Sequence, residues 1–214
     1  MKKTILVTII MTAVLALALT IGVFATEETT VEDTTTIGAT EQTEQAPKLI
    51  AKIFNGGSLA ILGAAVAVGL AGIGSAKGVG MVGEATSGLL SENPNQFGKA
   101  FLLMALPMTQ GIYGLVIAFL IVFKGGLFEA GGMDNLLALS VQEGAYYLMS
   151  ALPIGVVGLF SAIKQARVAV SGINLLSKRP DQVMKAVTSA ALVETYAIFA
   201  VLISLLMVLF APVG

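Results

Sequence analysis

Within the run "ALVETYAIFAVLISLL", Ala191 to Leu206, a single carboxylate, Glu194, is set among apolar side chains. From Val187 to Phe210 the one other ionisable side chain is Tyr196, and a run of that length crosses a bilayer as a helix. A charged carboxylate at mid-membrane costs about 2.5–3.5 kcal/mol on insertion scales, so Glu194 must be neutralised, paired or bound to a cation. Read blandly, it is a protonated acid making one interhelical hydrogen bond; read functionally, it carries an ion. The chain has neither Cys nor His, which removes thiol nucleophiles, disulfides, thiolate and imidazole metal sites and the usual general base. Hard-cation chemistry on oxygen ligands remains.

Further oxygens come from two other apolar segments. Leu106, Thr109 and Gln110 are spaced to share one helix face, and Tyr113 continues it. Gln110 and Glu194 stand about three and about two and a half turns in from Lys99 and Lys185 of their loops, so they are expected at similar depth. Gln165, on the cytoplasmic side of the third segment, is a candidate third partner. Two amide oxygens, a hydroxyl, a carboxylate and a candidate main-chain carbonyl would make a cage with one negative charge. Such a cage suits a dehydrated monovalent cation. A proton needs the carboxyl group alone, so the extra oxygens point to Na⁺. Taken singly, Thr109 and Gln165 are also explained by ordinary interhelical hydrogen bonds. Pro107 either frees the Leu103 carbonyl or merely kinks its helix, and Tyr113 either bonds the carboxylate or packs.

The elements that must position these groups are transmembrane helices. The chain of 214 residues is 56% hydrophobic and 12% charged, which describes an all-α integral membrane protein. Residues 1–25, with Lys2 and Lys3, an apolar core and "VFA", read as a signal peptide or as an extra N-terminal transmembrane helix. Residues 26–47 hold Glu27, Glu28, Glu32, Asp33, Glu41 and Glu44 with no Lys or Arg, and are expected to be a disordered extracytoplasmic tail. Four apolar segments follow, near 55–90, 98–123, 146–177 and 184–211. They form a first hairpin (48–124), an extracytoplasmic loop (125–144) and a second hairpin (145–214).

The two hairpins are copies. "LSENPNQFGK" matches "LSKRPDQVMK", and the Gly-Ile-Gly-Ser at 72–75 falls on the Gly-Leu-Phe-Ser at 158–161. Past the prolines the second copy is two residues shorter, which sets Gln110 against Glu194. Only the later hairpin keeps the charge. Lys77, Lys99, Lys164, Arg167, Lys178, Arg179 and Lys185 lie in or beside the two hairpin loops, so both loops are expected in the cytoplasm, with the tail and C-terminus outside. Both halves then insert the same way up, which suits a ring better than the inverted repeats of many transporters. Small residues through helix one, including Gly74 and Gly78, permit the close packing of a ring's inner circle or of any tight bundle. "GIGSAKGVG" is not a phosphate loop: no strand precedes it and the Gly-Lys-Ser/Thr pattern is missing.

"GIGSAKGVGMVGEA", "LPMTQGIYGLVIAFLI" and "LVETYAIFAVLISLL" resemble the proteolipid of V-type sodium ATPases, the rotor-ring subunit K, over about residues 55–212. The resemblance implies a non-catalytic, four-helix subunit of two fused hairpins, repeated around a homo-oligomeric ring in membrane lipid. The ring would turn against a stator subunit and meet a central-stalk subunit. By the same resemblance, Na⁺ is the transported ion, held at Leu106, Thr109, Gln110, Gln165 and Glu194, with Tyr113 latching the carboxylate. No cofactor and no nucleic-acid partner are implied. Lys164 is an unexpected charge beside Gln165; helical geometry turns neighbouring side chains apart, but swung inward it would pair with Glu194. Rival readings are an H⁺-carrying ring of the same build, a small multidrug exporter and a purely structural proteolipid. The exporter would need aromatic residues at the carboxylate, and the structural reading leaves the oxygen cage unexplained.

Overall fold

The computed structural model describes residues 55–211; the signal-like segment 1–25 and the acidic segment 26–47 lie outside them. Every regular element among the described residues is helical. Helix α1 (Gly56–Glu92) begins where the Asn55 side chain accepts the Ser58 amide at 2.7 Å, supplying one of the donors a helix start leaves open. It stops at Asn93, whose φ of −133° and ψ of 75° reflect the exclusion of helical geometry before a proline. A 3₁₀ turn, Pro94–Gln96, leads into α2 (Phe97–Ala105). A second 3₁₀ turn, Leu106–Met108, joins α2 to α3 (Thr109–Lys124).

The connection to the second half turns on Gly126, Gly131 and Gly132, all at positive φ, and contains the short α4 (Met133–Leu137). Helix α5 (Val141–Lys178) starts on a reciprocal cap in which Ser140 accepts the Glu143 amide and the Glu143 carboxylate accepts the Ser140 amide. The third apolar segment therefore becomes helical at Val141 rather than near 146, because a polar first turn is invisible to hydrophobicity but secured by its cap. Helix α5 ends at Arg179 (φ −140°, ψ 78°) before the 3₁₀ turn Pro180–Gln182 and α6 (Val183–Leu209). Asn93 and Arg179 are equivalent in the repeat, and both adopt the backbone that a following proline dictates. The second helices of the two hairpins differ. Pro107 cannot donate an amide, and the chain there tightens into a turn, whereas α6 runs unbroken.

Four spans, Gly56–Glu92, Pro94–Lys124, Val141–Lys178 and Pro180–Leu209, are long and apolar enough to cross a membrane. Helices α1 and α5 pack along each other, close enough that a Cβ on Gly74 would lie 2.7 Å from the Leu159 Cα. Helix α3 approaches α1 as closely, since a Cβ on Gly114 would lie 2.5 Å from the Ala67 carbonyl oxygen. Small residues give van der Waals contact where no hydrophobic drive joins helices. The outer faces of α3 and α6 expose Leu115, Phe119, Phe123, Leu192, Phe199, Leu202 and Leu206, a surface fit for lipid rather than water. Two apolar clusters form the core, one with Ala67, Ile117, Tyr147 and Ile154, the other with Val82, Leu103, Ala169 and Ile173. Between them lies a layer of buried polar side chains.

Candidate functional site

Gln110 and Gln165 are fully buried in that layer, each 0% exposed, and buried amides require partners. The Gln110 Nε2 donates to Gln165 Oε1 at 2.6 Å. The Gln165 Nε2 in turn donates to the Ala190 carbonyl at 3.2 Å and to Glu194 Oε2 at 3.4 Å. Tyr113 reaches the other carboxylate oxygen, its hydroxyl donating to Glu194 Oε1 at 2.7 Å. At the far end the Thr109 hydroxyl donates to the Leu106 carbonyl at 2.9 Å and lies 3.4 Å from Gln110 Oε1. Leu106, Thr109, Gln110, Gln165, Glu194 and Tyr113 thus form one contiguous row of polar groups through the second, third and fourth spans. It gathers a carboxylate, two amide oxygens, the hydroxyls of Thr109 and Tyr113 and the Leu106 carbonyl.

Local backbone explains how the path closes. The 3₁₀ turn at Leu106–Met108 brings Leu106, Thr109 and Gln110 together beside buried Pro107, so the consequence of the proline falls on the residues next to it. Gln165 projects from the buried face of α5 with Ser161, Ala162, Ala166 and Ala169, all small enough to admit its length. Tyr113 packs its ring against the apolar cluster containing Ile117 while its hydroxyl bonds Glu194.

Two features depart from the sequence reading, and a third, the placing of Lys164, agrees with it. Gln110 and Glu194 share a layer but no hydrogen bond is made between them; Gln165 stands between the two. Glu194 is only half-buried in the single chain, because its position on α6 borders the outward face where Thr195 and Tyr196 lie; full burial needs something packed against that edge. Lys164 is exposed and lines an outward groove with Val156, Val157, Phe160, Ser161, Val193 and Tyr196. Neighbouring helix positions turn about 100° apart, so Gln165 faces inward while Lys164 faces away. Sequence reasoning did not single out the Ala190 carbonyl, nor the hydroxyls of Ser75 and Ser161, which bond the backbone beside the site. A signal for the serines existed: they coincide when the two halves are aligned.

Comparison with known proteins agrees with the duplicated build. The profile of the ATP synthase C-subunit family matches residues 62–121 and again residues 148–207, separated as Gly72 is from Gly158. The V-type sodium ATPase subunit K of Enterococcus hirae is 49% identical over 156 residues, which cover 72% of this chain and 94% of that protein. The A-type ATP synthase subunit K of Methanocaldococcus jannaschii is 37% identical over 149 residues, covering 70% of this chain and 61% of that protein.

Proposed function

The chain belongs to the ATP synthase C-subunit family, as a V-type proteolipid and rotor-ring subunit of a V/A-type ATPase, and from that premise we propose that it carries Na⁺ on Glu194. The observation that carries this reading is the contiguous path from the Leu106 carbonyl through Thr109, Gln110 and Gln165 to a carboxylate held by Tyr113. One carboxylate cancels one monovalent charge, and the neutral oxygens replace water around a dehydrated ion, so a loaded site passes lipid without a net charge. A proton would need the carboxyl group alone and would leave two fully buried glutamines without a transport role. The relative from Enterococcus hirae is named for sodium, which supports the same choice.

In this reading, ATP hydrolysis elsewhere in the complex turns a ring of identical copies, with a central-stalk subunit on the cytoplasmic side. The half-exposed edge of Glu194 faces outward from α6, where a cationic stator side chain, an arginine, would compete for the carboxylate and release the ion. The seven basic residues in or beside the hairpin loops favour a cytoplasmic position for those loops, and segment 26–47, which has no Lys or Arg, falls on the outside.

Binding of ²²Na⁺ to purified rings tests the assignment. Wild-type rings bind saturably, one ion per chain, and Glu194→Gln rings assemble but bind none. Retained binding or undiminished coupled transport in Glu194→Gln would refute it. Carbodiimide labelling of Glu194 that Na⁺ fails to slow would favour the H⁺-carrying alternative.

A further inference from the structure

We propose that Ser75 and Ser161, one in each half of the repeat and neither an ion ligand, are positioning residues that hold the sodium cage in register. The proposal rests on the sodium reading and deepens it. Ser75 Oγ, on α1, accepts the Gly111 amide of α3 at 2.7 Å and lies 3.4 Å from the Met108 carbonyl as a donor. Met108 and Gly111 bracket the two side-chain ligands Thr109 and Gln110, so one hydroxyl holds the main chain on both sides of them. The contact is close: a Cβ on Gly111 would sit 3.1 Å from Ser75 Oγ. Ser161 Oγ, on α5, donates to the Val193 carbonyl of α6 at 3.1 Å, one residue from Glu194. Ser161 and Gln165 stand one turn apart on the same face of α5. Together they hold α6 at Val193, at Ala190 and at the Glu194 carboxylate.

Both serines are 6% exposed, and they fall on the same position when the halves are aligned. The ligands they support differ, Gln110 in one half and Glu194 in the other, yet the clip from first helix to second is present in both. It acts on the main chain, so its effect does not depend on which side chain follows. A cage of several oxygens tolerates displacements of only about 0.5 Å, whereas protonating Glu194 requires a single oxygen. A shift of α3 or α6 therefore weakens Na⁺ binding and leaves proton uptake in place. Ser204 supplies a comparison: its hydroxyl accepts the Ile154 amide at 3.2 Å, joining the same two helices roughly 15 Å along α6 from Glu194.

The experiment measures, in intact rings, the Na⁺ concentration that half-protects Glu194 from carbodiimide, and separately the pH dependence of labelling without Na⁺. Ser75→Ala and Ser161→Ala should each raise the half-protecting concentration about 10-fold to 100-fold, as loss of a group supporting metal ligands does. Their labelling against pH should match wild type, and Ser161→Thr, which keeps the hydroxyl, should restore protection. Ser204→Ala should stay within about twofold of wild type. The proposal is overturned if both serine variants stay within that range, or if Ser204→Ala shifts protection as far as they do, which would make the effect one of general packing. Should Ser161→Ala not assemble, Ser161→Cys, a weak donor of similar size, is read against the same limits. Wild-type rings that Na⁺ does not protect overturn the sodium reading and this proposal together; protected wild-type rings with unchanged serine variants overturn this proposal alone.

Discussion

Changing Tyr113 to Phe removes one oxygen and nothing else, and it should speed Na⁺ release from the ring. The hydroxyl donates to Glu194 Oε1 at 2.7 Å, the length of a charge-assisted bond, for which about 1.5–3 kcal/mol is typical. Both partners are only half-buried in the single chain, which places the value at the lower end. In the sodium reading proposed above, the ion leaves when the carboxylate turns away from Tyr113, so the bond adds to the barrier for release from the ring. Losing about 1.5 kcal/mol from that barrier makes release about tenfold faster. The phenyl ring still packs against the Ile117 cluster, so assembly and thermal stability should hold. The assay is the rate of ²²Na⁺ loss from purified rings after dilution into unlabelled Na⁺. A release rate within about twofold of wild type would refute the latch.

Gln165→Leu leaves the Gln110 amide without its acceptor in a buried layer and should lower ring stability by about 1–3 kcal/mol, with saturable ²²Na⁺ binding lost or weakened about 10-fold or more; full binding would contradict the network. Lys164→Gln should leave Na⁺ affinity within about twofold of wild type, because the ammonium lines the outward groove; a large gain in affinity would mean that it does pair with Glu194. Gly114→Ala sets a methyl group 2.5 Å from the Ala67 carbonyl oxygen and should cost about 1–3 kcal/mol through overpacking, read as a lower Tm of the ring.

Much of the architecture was legible in the sequence because the bilayer simplifies the code. Long apolar runs bounded by prolines locate spans, and the match of "LSENPNQFGK" with "LSKRPDQVMK" reveals two halves that end their first helices alike, at Asn93 and Arg179. The start of α5 at Val141 was less legible, since its Ser140 and Glu143 cap is made of residues that a hydrophobicity pattern assigns to loop. Pro107 announced a disturbance but not its form, because a kink, a freed carbonyl and a 3₁₀ turn are all compatible with a missing amide donor.

For the candidate site, the sequence alone established which side chains are available and at what depth: one acid, two amides, a threonine and a tyrosine, on segments whose lengths and loops set them level. Those are properties of spacing along a helix, and spacing is local. Only the tertiary structure decided that Gln165 stands between Gln110 and Glu194, that Glu194 keeps one side open, and that two serines clip the backbone beside Gln110 and Glu194. Each depends on the rotation and translation of one helix against another. That relation is set by the summed contacts of glycine and alanine faces such as Gly74 on Leu159 and Gly114 on Ala67, and no single residue in the sequence encodes it.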